Sequence, residues 1–153
     1  MKIEIYTDGA SSLNGQPNAV AGWAWALLVD GELIHEDSGR IEGGTSNQGE
    51  LTAIIKGLQF LREHANDHTR KIILYSDSAY CINGISEWIH KWKNYGWYRN
   101  KGRTAAIKNL EYWQELDHLN SLLNIEWRWV KGHLKEDNYN NYVDKLAREQ
   151  TRR

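Results

Sequence analysis

The stretches IEIYTDGAS (Ile3–Ser11) and IILYSDSAY (Ile72–Tyr80) decide the reading of this chain. Each is a short apolar run that ends in an aspartate, Asp8 or Asp77, followed at once by small residues. In the first, Ile3, Ile5 and Thr7 alternate with Glu4 and Tyr6, as in a strand with two different faces. The second is nearly all apolar before Ser76, the pattern of a strand buried in a parallel sheet. Carrying a carboxylate out of a buried strand is costly, and this chain does it twice. Two carboxylates held near each other repel strongly unless a cation neutralises them or one is protonated.

The segments around these stretches set the fold. Residues 19–43, AVAGWAWALLVDGELIHEDSGRIEG, split at Asp30-Gly31 into two strand-like runs, and Asp-Gly in that setting marks a hairpin. The first strand, Lys2 to Asp8, therefore opens a set of three antiparallel strands. Leu51, Ile54, Ile55, Leu58 and Leu61 recur at helical spacing behind the polar caps Thr45 to Asn47. After Asp77 two short helices are expected, SAYCINGI and SEWIHKWKNY, broken at Gly96, and then a longer one from Thr104 to Leu122. NIEWRWVKG reads as the last strand and YVDKLAREQ as the terminal helix. The order β-β-β-α-β-α-α-α-β-α predicts a single α/β domain over residues 1–153, a mixed sheet with helices on both faces. With the first and fourth strands side by side and parallel, Asp8 and Asp77 emerge at one sheet edge. Sites in such sheets form at the carboxyl ends of strands.

Composition narrows the classes. Cys81 is the only cysteine, which excludes an internal disulfide and a multi-cysteine zinc site. The apolar runs fall far short of the ~20 residues that span a membrane, and MKIEIYTD lacks a signal peptide's apolar core. The expectation is a soluble, cytoplasmic protein. The net charge of −1 is unevenly spread: Trp88 to Leu110 holds six basic and no acidic residues. That window also holds Trp88, Trp92, Tyr95, Trp97 and Tyr98, and basic residues interleaved with aromatics suit a nucleic acid. A solvated loop beside a helix with buried tryptophans explains the same composition.

Three further residues join the two aspartates as candidates. Glu50 lies one turn before Ile54, on the side of its helix that faces the sheet. Asp144 falls early in the last helix, and His133 in the polar loop before it. Each has an ordinary explanation: a turn or cap for Asp77, a capping-box partner of Asn47 for Glu50, a helix-dipole contact for Asp144, a surface imidazole for His133. Beside clustered carboxylates, that imidazole could instead shuttle protons.

The motifs YTDGAS, TSNQGELTAI, LYSDSAY, WIHKWKNYGW, IEWRWVKGH and YVDKLAR, in this order and spacing, resemble the type 1 ribonuclease H family over nearly the whole chain. The resemblance implies a five-stranded mixed sheet, three antiparallel then two parallel strands, flanked by helices. It implies a monomeric endonuclease that hydrolyses the RNA strand of RNA–DNA hybrids with two magnesium ions, manganese being a substitute. Asp8, Glu50, Asp77 and Asp144 would hold the metal, Asp8 bridging both ions, with His133 assisting. Gly9, Ala10, Asn14, Thr45, Ser46 and Asn47 match positions that meet the RNA strand. Trp88, Lys91, Trp92, Lys93, Trp97 and Lys108 match the handle that grips the hybrid. Ala79 stands where relatives often offer a glutamine to the RNA.

Overall fold

In the computed structural model, which describes residues 1–132 and 138–152, the first quoted stretch forms strand β1 (Ile3–Ser12) and the second opens with β4 (Lys71–Ser76). They lie parallel, Ile3 opposite Ile72 and Thr7 opposite Ser76. On its other side β1 pairs antiparallel with β2 (Val20–Val29), which pairs antiparallel with β3 (Glu32–Glu42). β5 (Asn124–Trp129) adds parallel to β4. The order β3-β2-β1-β4-β5 is the mixed five-stranded sheet that was expected. Asp30 and Gly31 carry φ values of 51° and 82°, the left-handed pair that a tight hairpin turn of this kind requires.

One strand boundary is corrected. β1 does not end at Asp8: its ladder with β2 runs on to Ser12, opposite Val20. The ladder with β4 stops at Thr7. Asp8 therefore stands where β1 outlasts its parallel neighbour. The unzipped edge beyond Thr7 and Ser76 is what leaves room for side chains between the two strands.

Period-2 alternation divides the core into two layers. Ile3, Ile5, Trp23, Trp25 and Leu27 face α1 (Ser46–His64), which buries Leu51, Ile54 and Leu58 against them. Ala24, Ala26 and Leu28 face α5 (Tyr139–Glu149), whose Val143 and Ala147 are buried there. The start of α1 is fixed by a capping box: Thr45 accepts from the Gln48 backbone N–H at 3.2 Å, and Gln48 accepts from the Thr45 backbone N–H at 3.0 Å.

The helices after β4 differ from expectation in their boundaries. α2 (Ala79–Asn83), a π-helical turn over Gly84–Trp88, and α3 (Ile89–Asn94) run end to end, so the two expected helices are nearly one. α4 (Leu110–Leu122) begins six residues later than Thr104. The carbonyls of Ala105 and Ala106, which a helix from Thr104 would need as acceptors, instead accept from the Arg99 backbone N–H at 3.0 Å and from Arg99 Nε at 2.8 Å. Asn109, at φ 60°, then breaks the path before Leu110. α5 starts at Tyr139 rather than Tyr142, because Asn138 caps it by accepting from the Asn141 N–H at 2.9 Å.

Candidate active site

The end of the β1–β4 ladder delivers Asp8 and Asp77 side by side, and α1 brings Glu50 over them. Contact depends on a glycine: a Cβ on Gly9 would overlap the backbone of Gly49 and Glu50. With only hydrogen there, the first turn of α1 lies directly on β1 and sets Glu50 beside Asp8. Gly9, expected to admit the RNA backbone, thus has an intramolecular reason to be glycine. Carboxylate oxygens of Asp8, Glu50 and Asp77 lie within 4.8 Å of one another. Asp144 comes from the second turn of α5 and joins them in a cleft of about 420 Å³, lined also by Gly9, Ala10, Ser11, Gly132 and Arg148.

The ordinary explanations for these acids do not match their positions. Ser78, not Asp77, caps α2, accepting from the Cys81 N–H at 3.1 Å. The capping box at the start of α1 uses Gln48, not Glu50. Asp144 lies beyond the first turn of α5, which carries no acidic residue. It pairs instead with Arg148, one turn on, at 3.0 Å.

Electrostatics in the cleft are unfavourable to so much negative charge. Asp8 is 2% exposed. Burial, followed by the charges of Glu50 and Asp77, pushes its carboxyl up to about 12. Burial, followed by the charge of Asp77, raises Glu50 to about 8. Asp8 Oδ1 accepts from the Gly9 N–H at 2.9 Å, but Asp8 Oδ2 and Glu50 Oε2 are buried without a hydrogen-bond partner. Hard carboxylate oxygens converging from three residues, two of them buried without a partner, are the donor set that suits magnesium or manganese rather than a soft metal.

β5 closes the cleft from the side of Asp77. The Trp129 indole N–H donates to the Asp77 carbonyl at 3.2 Å, and the Val130 N–H to the Ser76 carbonyl at 2.9 Å. A Cβ on Gly132 would come within 2.5 Å of Asp77 Oδ2. His133 follows at once in the chain and lies outside the described residues.

The remaining expected contacts flank the cleft. Asn14 accepts from the Ser46 N–H at 3.1 Å, which brings the loop after β1 to the start of α1, beside Thr45 and Asn47. Ala10 lines the cleft itself. Lys91 and Lys108 are exposed. Lys93 pairs with Asp117 at 3.2 Å. Trp88 and Trp92 are half-buried, their rings 6.5 and 5.6 Å from the buried Trp113 ring, and Trp97 also packs on the core. Their inner faces therefore belong to the core and only their outer edges face solvent. Ala79 is exposed at the start of α2.

Sequence reasoning passed over Gln48, Arg148 and Gly132. Two had a signal: Thr45-x-x-Gln48 is a capping-box pattern, and Asp144 and Arg148 are four apart on a helix. Gly132 had none, because the approach of β5 to Asp77 is a tertiary contact.

Comparison with known proteins adds an independent line. Residues 1–152 match the family described as RNase H. A ribonuclease H from Wolbachia sp. subsp. Drosophila simulans is 44% identical over 147 residues, covering 96% of this chain and 93% of that protein. One from Acetivibrio thermocellus is 42% identical over 153 residues, covering 99% and 96%. Among solved structures, LC9-RNase H1, a type 1 RNase H with the type 2 active-site motif, superposes with a TM-score of 0.82 at 25% identity, over 97% of this chain and 71% of that one. LC11-RNase H1 in complex with an RNA/DNA hybrid has the same fold, with a TM-score of 0.72 at 21% identity over 97% and 95%.

Proposed function

This chain belongs to the ribonuclease H family, and from that premise we propose that it cuts the RNA strand of RNA–DNA hybrids with two divalent ions, leaving 5′-phosphate and 3′-hydroxyl ends. The observation that carries the proposal is the convergence of Asp8, Glu50 and Asp77 oxygens within 4.8 Å, two of the cluster's oxygens, Asp8 Oδ2 and Glu50 Oε2, being buried without a partner. Asp8 is read as the ligand common to both ions, Glu50 and Asp77 as completing one site and Asp144 the other. Magnesium, when bound, activates the attacking water and neutralises charge on the leaving oxygen.

The chain's own residues supply the rest. Trp129 anchors the Asp77 backbone through its indole hydrogen bond, and Gly132, having no Cβ, leaves room for the Asp77 carboxylate. Arg148 keeps Asp144 oriented and adds positive charge at the cleft wall. His133 is assigned to proton transfer or product release. Residues 45–47, Asn14, Gly9 and Ala10 are read as meeting the RNA strand, where 2′-hydroxyls distinguish RNA in a wide minor groove. Lys91, Lys93, Lys108 and the outer edges of Trp88, Trp92 and Trp97 are read as facing the DNA strand.

A module that only binds a duplex is the competing view, and the acids oppose it. Buried negative charge facing a phosphate backbone costs affinity and serves a binder nothing. Digestion of a labelled hybrid with magnesium, beside single-stranded RNA, duplex RNA and DNA, tests the reading. Cleavage confined to the RNA of the hybrid is expected; cut DNA, or no cleavage with magnesium or manganese, overturns it.

A further inference from the structure

A chain of side-chain hydrogen bonds crosses from α1 to α2 outside the carboxylate cluster. Gln48 Nε2 donates to Asn109 Oδ1 at 3.2 Å. Asn109 Nδ2 donates to the Tyr80 hydroxyl at 3.2 Å, and the buried Trp113 indole N–H donates to the same oxygen at 3.2 Å. Gln48 Oε1 is already committed to the Thr45 N–H. Gln48 and Asn109 thus use both ends of their amides: Gln48 caps its own helix while reaching Asn109, and Asn109 joins α1 to α2.

We propose that Gln48, Asn109 and Tyr80 act as positioning residues: a polar strap that sets the spacing between the two lips of the substrate groove. The proposal rests on the hybrid-cleavage reading above and extends it to selectivity. One end is the first turn of α1, two residues before Glu50 and beside the residues assigned to the RNA strand. The other is Tyr80, three residues after Asp77, on the nearly continuous helical run that carries Trp88, Lys91 and Trp92. Tyr80 also packs edge-on against Trp88, with ring centroids 5.7 Å apart. Asn109, the middle link, sits at the N-cap of α4 with φ 60° and makes no capping hydrogen bond from its side chain. An asparagine in that strained conformation whose side chain is spent on other elements points to a tertiary role. A hybrid and a duplex RNA differ in groove width, so a fixed lip spacing rewards one over the other.

Two variants separate the strap from its surroundings. Tyr80→Phe removes the shared hydroxyl but keeps the ring against Trp88 and Trp113. Asn109→Gly relieves the positive φ while deleting both amide bonds, so a purely backbone role for Asn109 predicts no loss. Steady-state cleavage of hybrid, and binding of hybrid and duplex RNA in calcium, are measured for both and for the double variant. Each single variant is expected to raise KM for hybrid about fivefold, the worth of about one hydrogen bond, with kcat within twofold. Each should also narrow the preference for hybrid over duplex RNA. The double variant should match the worse single, because both break one unit. Unchanged KM and preference in both singles, or effects that multiply in the double, overturn the strap. Failure of the wild-type protein to cut hybrid would instead overturn the function on which it rests.

Discussion

Asp8 concentrates the electrostatic problem of the molecule in one side chain. It is buried, faces Glu50 and Asp77, and keeps one oxygen without a partner. Asp8→Asn should abolish magnesium-dependent cleavage, yet stabilise the metal-free protein near pH 7 by up to about 4 kcal/mol, because asparagine spares the cost of keeping that carboxyl protonated about three pH units above its ordinary value. Cleavage assays beside melting curves in a chelator check both halves, and unchanged turnover would remove Asp8 from the chemistry. Glu50 makes a pH prediction. Its carboxyl is raised from 4.5 to about 8, so in that window the folded state holds a proton that the unfolded state releases. Stability contributed by that proton is complete below pH 4.5 and is lost as pH rises towards 8. Asp8, raised from 3.8, adds to the same slope, so melting temperature in a chelator should fall from pH 5 to pH 8 in the wild type and less steeply in Glu50→Gln, each carboxyl contributing at most about 1.4 kcal/mol of stability per pH unit. Saturating magnesium should flatten the slope, because it binds the ionised form; a chelated protein with no slope would refute the raised carboxyl.

At the level of elements, the site depends on where one strand outlasts another and on how closely a helix lies across it. Alternation in Ile3–Thr7 and the apolar run before Ser76 made both strands legible, as did the Asp30-Gly31 turn. The extension of β1 to Ser12 was not legible, since Gly9, Ala10, Ser11 and Ser12 have weak strand preference and are held by pairing with β2. Nor was the late start of α4, where Arg99 takes the carbonyls of Ala105 and Ala106 although both are good helix formers. Gly9→Ala tests the α1–β1 approach. The added methyl must push α1 away, at a cost of about 1–3 kcal/mol, and weaken magnesium binding by moving Glu50 from Asp8. Denaturant unfolding and calorimetric metal titration report the two effects separately; wild-type magnesium affinity in this variant would show that Glu50 does not need the close approach.

Over the whole molecule, charge is segregated. Four acids converge on one cleft, from β1, the end of β4, α1 and α5, while residues 88–110 carry six basic residues and no acidic one. Composition suggested equal roles for Lys91 and Lys93, but Lys93 is tied to Asp117 and Lys91 is exposed. Lys91→Ala should reduce the slope of log affinity against log salt for hybrid binding by about 1, and Lys93→Ala by less. Fluorescence anisotropy across a salt series measures this, and an unaltered slope for Lys91→Ala would remove the basic segment from the phosphate contacts. The tryptophans show the same division. Composition left an aromatic surface and a buried helix face both open, and Trp88 and Trp92 combine them, spending their inner faces on Trp113.

The class of fold and the parallel and antiparallel halves of the sheet were legible in the sequence, as was the choice of four acids that the structure brings to one cleft. Periodicity, turn chemistry and motif order are local properties, and they survive in a one-dimensional reading. Only the tertiary structure decided which ordinary roles those acids are spared, because capping by Thr45, Gln48 and Ser78 is a matter of hydrogen-bond geometry. It alone also decided the close approaches at Gly9 and Gly132, the Arg148–Asp144 pair in the cleft and the Gln48–Asn109–Tyr80 strap. The close approaches and the strap join residues far apart in the chain, and no local pattern encodes a contact whose energy appears only when distant elements meet.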